Sequence, residues 1–419
     1  MVKLQNYSEV IQVIFVSTTQ YTFLITDIYA RYIFDKYGIK PIVFYRIVQN
    51  FDISNFNTDG KYIIYPYSVK NCNIIGQCIF ALQCGYLFHF TKWFKAVYKG
   101  KKTLLLAFND KNKLVSRLFS EIKSNNSGNK ITLIEEGTDT YSETLDIKKK
   151  GLYYLKHSIS KLLFGIGRTS EVIGVNPLID YSIVKNVERY KSLKKSNRQF
   201  VLQQDPNILL SAVDFIKHYE KSSSVKLECD VMYIGQPFYK SGKYFALENE
   251  CIEKILEVIA YDYRILIKPH PRDDKDKYKK ILKRINNISI IDESIAAFPI
   301  ETLVGITSSK IVLTIQSSAA ITLANMFPNM TVVVLRRISE ARKLLAELDK
   351  LGEELPELTD DFFVSTNDNV YMPETIDEYV ELIHKVVNKK TNISCSRSSK
   401  DIIFPEIDYL INEKMVQTR

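Results

Sequence analysis

The chain has 419 residues, of which 46% are hydrophobic and 25% are charged, proportions that indicate a globular protein of two or three domains. Its formal net charge of +9 suits an anionic ligand or an anionic membrane surface and falls short of that of a dedicated nucleic-acid-binding protein. The six cysteines include no CxxC pair, which favours free thiols in a reducing cytosol over zinc ligands. The sequence shows no signal peptide and no apolar stretch of roughly 18 residues, so we expect a cytoplasmic protein without a membrane span.

In the first half of the chain, apolar runs of strand length alternate with segments of helical spacing. One helix is predicted over residues 21–37, directly after the first strand. Alternation of this kind is typical of a parallel sheet covered by helices on both faces. The predicted strands are 11–16, 42–45, 62–65, 104–108 and 131–134.

Two adjacent carboxylates, Glu135 and Glu136, follow the strand that ends at Ile134, and Gly137 comes next. The carboxyl end of a strand in an α/β sheet is a common position for functional residues. Adjacent like charges raise each other's proton affinity, which suits a general base. Acidic residues are also favoured at a helix N-terminus, so the motif alone leaves both interpretations open.

A basic, amphipathic segment at 148–167 fits a helix that packs on the core and exposes its lysines, or a helix that lies on an anionic membrane. From about 186 to 228 the sequence is strongly polar, which indicates a domain boundary. We therefore predict an N-terminal, acceptor-side domain (1–205), a linker region (206–228), a C-terminal, nucleotide-donor domain (229–395) and a tail (396–419).

A second alternating series occupies the C-terminal domain and again predicts a parallel sheet. It contains a predicted helix at about 247–260 and an acidic, helical segment at 339–387, followed by a basic, serine-rich segment at 389–400. The predicted strands are 231–234, 264–268, 288–291, 310–315 and 331–335.

The most distinctive stretch follows the strand at 264–268. The sequence Lys268-Pro269-His270-Pro271-Arg272 places one histidine between two prolines, whose fixed φ angles make the loop stiff. Lys268 and Arg272 add positive charge on either side. Two cations and an imidazole that can hydrogen-bond or protonate an oxygen suit a phosphate, and a solvated turn with incidental charges is the alternative.

Two serines, Ser317 and Ser318, lie between the strand at 310–315 and a predicted helix start. Hydroxyls and free N–H groups at a helix N-terminus bind phosphate, although simple N-capping would account for the same pair. Gly235 and Gln236 occupy the equivalent position after the strand at 231–234.

The three motifs carry more weight together, because each lies at the carboxyl end of a predicted strand. Two α/β domains facing each other across a cleft would place the acids on one side and the histidine and serines on the other. This arrangement suits the transfer of a sugar from a nucleotide donor in the second domain to an acceptor in the first.

With these motifs in this order, the chain resembles the bacterial sialyltransferases, which carry a (D/E)(D/E)G motif, an HP motif and a serine-rich motif. Within them it looks most like glycosyltransferase family 52, the lipooligosaccharide and capsule sialyltransferases. The resemblance implies the α/β GT-B fold, two Rossmann-like domains with parallel sheets facing across a cleft, and inverting, metal-independent transfer from CMP-N-acetylneuraminic acid (CMP-sialic acid). The blocks that carry it are Glu135-Glu136-Gly137, Tyr233-Ile234-Gly235-Gln236, Lys268-Pro269-His270-Pro271-Arg272 and Gln316-Ser317-Ser318-Ala319.

The resemblance also implies roles for single residues. Glu135 or Glu136 would be the base that deprotonates the acceptor hydroxyl, and Glu248 or Glu250 are alternatives for it. His270 would contact the departing CMP phosphate as an acid or an electrostatic partner. The implied donor-binding residues are Gly235, Gln236, Lys268, Pro271, Arg272, Ser317 and Ser318, and no metal or cofactor is implied.

The expected partners are CMP-sialic acid and a glycan acceptor, lipid-linked or free, with no nucleic acid. A peripheral contact with the inner face of an anionic membrane and a homodimer are left open. The alternatives for function are transfer of another CMP-ulosonic acid (Kdo or legionaminic acid) or another sugar nucleotide, and a non-catalytic module that binds glycans or nucleotides.

Overall fold

The computed structural model divides the chain into two compact units. Unit 1 comprises Met1–Val48, Asp52–Ile208 and Ile403–Arg419, and unit 2 comprises Gln49–Phe51 and Leu209–Ile402. The segments at 148–167 and 389–400 lie outside the described residues, as do Gly137, Pro271, Arg272 and Ser318. The structure describes residues 11–47, 53–68, 101–110, 113–136, 140, 173–193, 199–219, 227–236, 245–270, 273, 276–317, 319–350, 360, 368–388 and 402–416.

Unit 1 is built on a sheet of seven parallel strands, named β1 to β7 in chain order. The strands are Ile11–Ser17 (β1), Ile42–Ile47 (β2), Ile63–Ser68 (β3), Lys102–Ala107 (β4), Lys130–Ile134 (β5), Tyr181–Val184 (β6) and Phe200–Gln203 (β7). Their spatial order is β3-β2-β1-β4-β5-β6-β7. The side chains of β1, β4 and β5 are almost all buried, as expected for central strands covered on both faces.

Among the described residues of unit 1 that precede the linker region, helices occupy Gln20–Tyr37 (α1), Lys113–Asn125 (α2) and Val187–Leu193 (α3). Helix α1 confirms the helix predicted after the first strand. It begins with a capping box in which the Thr19 hydroxyl accepts a hydrogen bond from the N–H of Thr22, while the Thr22 hydroxyl accepts one from the N–H of Thr19. It ends at Gly38, whose φ of 66° is a left-handed conformation that glycine adopts without strain.

Unit 2 contains a second parallel sheet, of six strands, in the order β10-β9-β8-β11-β12-β13. The strands are Val231–Ile234 (β8), Ile265–Lys268 (β9), Ile288–Ile290 (β10), Ile311–Thr314 (β11), Thr331–Val334 (β12) and Val370–Tyr371 (β13). Strands β8, β9, β11 and β12 are buried along their whole length. The prediction of two parallel α/β domains is therefore confirmed.

The described helices of unit 2 are mostly short, and the three longest pack on the sheet in one apolar cluster. The cluster includes Tyr233 of the sheet and Ile255, Leu344 and Tyr379 of the helices. In the described part of the acidic segment predicted as helical over 339–387, strand β13 lies between the helices Ser339–Lys350 and Ile376–Val387. The helices are Ala212–Phe215 (α4), Phe245–Ala260 (α5), Lys279–Arg284 (α6), Glu293–Ala296 (α7), Ile300–Leu303 (α8), Ala319–Met326 (α9), Ser339–Lys350 (α10) and Ile376–Val387 (α11). Single 3-10 turns occur at Ile53–Asn55, Ile208–Ser211, Ile216–His218, Val304–Ile306 and Leu335–Arg337.

The last helix, Pro405–Val416 (α12), belongs to unit 1 although it follows unit 2 in the chain. Its Glu406 accepts hydrogen bonds from the Tyr29 hydroxyl (2.7 Å) and from the N–H of Asp205 (3.1 Å). The stretch that the sequence assigns to a tail thus contains a helix packed in unit 1. Within the described part of the chain, no helix is both long and apolar enough to cross a membrane.

Candidate active site

Three adjacent strands of unit 2 bring the predicted donor residues to one edge of the sheet. Strands β9 and β10 lie on one side of β8, and strands β11 to β13 lie on its other side. The strand order therefore reverses between β8 and β11. Ligands of open α/β sheets bind outside the carboxyl ends of the strands at such a reversal. Gly235 and Gln236 follow β8, His270 follows β9, and Ser317 follows β11. The structure therefore brings these four residues to the position where a nucleotide site is expected.

His270 is held in its loop by its own backbone. Its N–H donates a hydrogen bond to Asp273 Oδ2 (3.0 Å), and its carbonyl oxygen accepts one from the N–H of Asp273 (2.8 Å). The side chain of Asp273 is itself almost fully buried. Since both backbone groups of His270 are bound, the position of this half-buried histidine is fixed relative to the sheet.

Gly235 allows two loops to approach each other closely. Its N–H donates to the carbonyl oxygen of Lys268 (2.8 Å), which joins the end of β8 to the end of β9. A Cβ at this position would collide with the hydroxyl of the buried Tyr278. A glycine is therefore required here by packing.

Gln236 connects the loop after β8 to the loop after β11. Its Oε1 accepts a hydrogen bond from the N–H of Gln316 (2.7 Å), and its Nε2 donates to the carbonyl oxygen of the same residue. The sequence predicts that Gln236 lines the nucleotide pocket. In the structure, the side-chain amide holds the backbone just before Ser317, across the point where the strand order reverses.

Ser317 lies at the start of helix α9. Its hydroxyl oxygen accepts a hydrogen bond from the N–H of Ala319 (3.3 Å), and its carbonyl oxygen accepts one from the N–H of Ala320 (3.0 Å). The N-terminus of a helix presents N–H groups and a positive dipole end, which favour a phosphate. Ser317 therefore combines capping with a position suited to an anion.

Lys268 is the last residue of β9, and its side chain points into the protein. Its ammonium group donates to the carbonyl oxygen of Ala296 (3.1 Å) and is almost fully buried. Burial lowers the pKa of Lys268 to about 8, partly offset by the carboxylates of Glu301 and Asp273. The lysine is thus mainly protonated at neutral pH and places a buried positive charge next to the His270 loop.

The acidic pair of unit 1 follows β5, and its two members have different surroundings. Glu135 is almost fully buried, and its Oε2 accepts a hydrogen bond from the backbone N–H of Lys185 (2.7 Å). The ammonium group of Lys185 lies 3.9 Å from Oε1 of the same carboxylate. Glu136 is half-buried, and its Oε2 accepts from the side-chain amide of Asn109 (3.1 Å). Glu135 therefore connects β5 to the end of β6, whereas Glu136 is the more accessible carboxylate.

Sequence reasoning missed Asn109 and Lys185, which lie beside these acids. Asn109 comes just after the predicted strand at 104–108, so its position at a strand end was available as a signal. No such signal existed for Lys185, because the four-residue strand β6 was not predicted.

The two alternative bases, Glu248 and Glu250, both lie on helix α5. Glu248 is buried, and burial raises its pKa to about 7 even though Lys277 lies 2.5 Å away. Glu250 is exposed and pairs with Lys254 at 2.7 Å, a bond that lowers its pKa. Across the described residues, no three His, Cys, Asp or Glu side chains are placed to hold a metal ion.

Asp273 and Lys277 are further site-associated residues that the sequence did not single out. Lys277 is fully buried, and its ammonium group donates to Asp273 Oδ1 (3.1 Å) and to the carbonyl oxygen of Gln236 (2.8 Å). Both residues belong to a run of alternating charges at 273–280, which resembles a solvated surface segment. The sequence offered no signal that separates them from their exposed neighbours.

A comparison with protein families finds a match to the model of the alpha-2,8-polysialyltransferase (POLYST) family over residues 89–336. This range covers more than half of the chain and includes the acidic pair, the histidine loop and the serine turn. No curated protein gives a significant match.

Solved structures with a similar fold include several sugar-nucleotide enzymes. A protein described as a UDP-N-acetylglucosamine 2-epimerase, from Listeria monocytogenes, is 10% identical over 91% of this chain and 89% of its own, with a TM-score of 0.51. The GT-B domain of a sialyltransferase from Photobacterium damselae is 14% identical over 86% of this chain and 100% of its own, with a TM-score of 0.46. At such identities the likeness is one of fold alone, and the predicted fold of two parallel-sheet domains, as in GT-B proteins, is confirmed.

Proposed function

The chain belongs to the alpha-2,8-polysialyltransferase family, and we propose that it transfers sialic acid from CMP-sialic acid to a sugar hydroxyl of a cell-surface glycan. It is a glycosyltransferase of the sialyltransferase type, and the family implies a nucleotide-sugar donor and a glycan acceptor. The observation that carries the donor site is the meeting of Gly235, Gln236, His270 and Ser317 at the strand reversal of unit 2.

The proposed chemistry at this edge is the stabilisation of a departing CMP phosphate. As the bond to the sugar breaks, positive charge develops on the sugar and negative charge on the phosphate. His270 donates a hydrogen bond or a proton to that phosphate, while the Ser317 hydroxyl and the N-terminus of α9 bind its oxygens. Protein donors would then supply the charge stabilisation, and we propose that the transfer needs no metal ion.

We propose Glu136 as the base that accepts the proton of the acceptor hydroxyl. The half-buried Glu136 carboxylate is accessible to a substrate, whereas Glu135 is almost fully buried on the backbone of Lys185. Glu248 is a weaker candidate because its carboxyl group is buried against Lys277. A single base of this kind fits direct displacement with inversion at the sugar carbon.

For the acceptor, we propose lipooligosaccharide or capsular polysaccharide, the acceptors of the family 52 enzymes that the sequence resembles. The family description adds an α2,8-linked sialic acid product to this proposal. The proposed place of reaction is the cytoplasm, at the inner face of the membrane, which fits the free, buried thiols of Cys229 and Cys251. A linkage analysis of the product tests the α2,8 assignment.

The direct test of the donor is a calorimetric titration of the protein with CMP, UDP and GDP, followed by turnover assays with CMP-sialic acid and CMP-Kdo. Of the three nucleotides, we expect only CMP to bind tightly. We also expect CMP to be released from CMP-sialic acid at a rate that EDTA does not change. Preference for UDP or GDP, or turnover of CMP-Kdo only, would contradict the proposed donor. If the wild type and His270→Ala both bind CMP but neither releases CMP from CMP-sialic acid, the protein is a binding module instead.

A further inference from the structure

One buried lysine of unit 2 connects the loops that form the candidate nucleotide site. The Lys277 side chain is fully buried, and its ammonium group donates to the carbonyl oxygen of Gln236 (2.8 Å) and to Asp273 Oδ1 (3.1 Å). Glu248 Oε1 lies 2.5 Å away as an ion-pair partner.

From Lys277, one set of contacts leads to the histidine loop. Asp273 Oδ1 accepts from Lys277, while Oδ2 of the same carboxylate accepts from the N–H of His270 (3.0 Å) and from the hydroxyl of Tyr278 (3.1 Å). The Asp273 side chain is almost fully buried, so these bonds form in a low-dielectric environment where they are strong. The orientation of the His270 backbone therefore depends on Asp273, and Asp273 is held by Lys277.

A second set of contacts leads to the serine turn. Lys277 holds the carbonyl oxygen of Gln236, and the side-chain amide of Gln236 bonds both the N–H and the carbonyl oxygen of Gln316. Gln316 directly precedes Ser317. All of these residues lie in unit 2, so the bonds form one continuous path within a single folded unit.

The path passes from His270 through Asp273, Lys277 and Gln236 to Gln316. It spans the ends of β9, β8 and β11, the three strands that deliver the candidate donor residues. Groups that stabilise a leaving phosphate have to be held within a fraction of an ångström of their productive positions. A lysine that reaches two of these loops, and the third through Gln236, is placed to control their relative positions.

We propose that Lys277 is a positioning residue of the nucleotide site, which aligns the His270 loop with the Ser317 turn without touching the substrate. This role rests on the proposed function, because it requires a phosphate to be bound between the two loops. It differs from a role in stability alone, since it predicts that a folded variant without this lysine binds the nucleotide poorly and turns it over slowly.

The main test uses the double variant Lys277→Met/Glu248→Leu, which replaces the buried ion pair with apolar side chains of similar volume. The buried Asp273 also loses its ammonium partner in this variant, so we expect a lower melting temperature but a single cooperative unfolding transition above the assay temperature. We expect its CMP dissociation constant to rise about tenfold and its kcat with CMP-sialic acid to fall about tenfold or more. Lys279→Met is the matched control, because Lys279 lies two residues away in an exposed pair with Asp276, and it should change neither quantity.

A double-mutant cycle distinguishes positioning from a diffuse structural effect. It does not depend on the folding of Lys277→Met/Glu248→Leu, because it uses other substitutions. Lys277→Arg keeps the positive charge but alters the geometry, and Gln236→Leu removes the bonds to Gln316. If Lys277 acts through Gln236, the combined change in CMP affinity is smaller than the product of the two single changes. Effects that multiply fully would contradict the path from Lys277 to the Ser317 turn.

The outcomes separate this inference from the proposed function. A wild-type protein that binds no CMP would overturn the proposed function and the positioning role together. The positioning role alone would be overturned if the wild type binds CMP and the folded Lys277 variants bind CMP and turn over CMP-sialic acid as well as the wild type does.

Discussion

The carboxyl edges of the two sheets hold their candidate residues in different ways. In unit 2, buried ions and backbone bonds connect the loops after three adjacent strands, and Asp273 and Lys277 are almost fully removed from solvent. In unit 1, Glu136 is half-buried and accepts a hydrogen bond from the neutral amide of Asn109. The difference fits two tasks: a leaving phosphate is stabilised best by fixed donors, whereas a base needs a carboxylate that an acceptor hydroxyl can reach.

The largest effect is expected at the unit 2 edge, in His270→Ala. Loss of the imidazole removes the acid or hydrogen-bond donor from the departing phosphate, so kcat with CMP-sialic acid should fall at least about 100-fold. The backbone bonds to Asp273 do not involve the imidazole, so the variant should keep its melting temperature. Near-normal turnover would break the assignment of phosphate stabilisation to unit 2.

The unit 1 edge is tested by comparing Glu136→Gln with Glu135→Gln. Glu136→Gln should lower kcat by about 100-fold and leave CMP binding unchanged, because the base acts on the acceptor and not on the nucleotide. Glu135→Gln should mainly lower the melting temperature, because a neutral amide oxygen accepts a weaker hydrogen bond from the N–H of Lys185 than the buried carboxylate does. The opposite pattern in the transfer assay would make Glu135 the base.

Ser317→Ala sharpens the account of the unit 2 edge. Loss of one hydroxyl that binds a charged phosphate should raise the KM for CMP-sialic acid about tenfold and change kcat little. Ser308→Ala provides a control, since Ser308 bonds the backbone around Cys229 at the opposite end of the strands. An unchanged donor KM in Ser317→Ala would exclude its hydroxyl from the phosphate site.

The close packing of loops in unit 2 is tested by Gly235→Ala. The added methyl group collides with the Tyr278 hydroxyl, so we expect a loss of stability of about 1–3 kcal/mol in denaturant unfolding. The double variant Gly235→Ala/Tyr278→Phe removes that hydroxyl and should recover part of the loss. Tyr278→Phe also loses the hydroxyl's bond to Asp273, so the comparison is with the Tyr278→Phe single variant. If Gly235→Ala costs as much stability in that background as in the wild type, the collision is not the cause.

The smallest expected effect is the pH dependence that Glu248 gives to the buried part of unit 2. Its pKa is raised by burial from 4.5 to about 7, so the folded state binds its proton more tightly than the unfolded chain. Its stabilising contribution is therefore complete below about pH 4.5 and is lost as the pH rises to about 7. The melting temperature of the wild type should fall relative to that of Glu248→Gln between pH 5 and pH 8.

Glu250→Gln, on the exposed face of the same helix, serves as the control and should show no such relative fall. A difference between wild type and Glu248→Gln that stays constant over this pH range would mean that Glu248 does not titrate there.

The sequence predicted the two parallel sheets because buried strands such as β1 and β9 are short, apolar and followed by polar turns. It did not predict β6 or β7, whose four residues each lie within or beside a polar stretch. It also gave no sign that α12 packs in unit 1, since Glu406 and Tyr29 are 377 residues apart in the chain. Local patterns carry no information about contacts of that range.

The candidate site was predictable to the same degree. Residues at the ends of predicted strands, such as His270 and Ser317, could be proposed from the sequence because position and residue type agree there. Lys277 was not found, because in a run of charges nothing separates it from Lys279, yet the first is fully buried and the second is exposed. Burial depends on how the loops pack, and a single sequence does not show it.

The most direct test of the central claim is a crystal structure of the protein with bound CMP. We predict that the phosphate lies within hydrogen-bond distance of the Ser317 hydroxyl and the His270 imidazole, beside the N-terminus of α9. A CMP phosphate bound elsewhere, or bound with the His270 side chain turned away from it, would contradict the account.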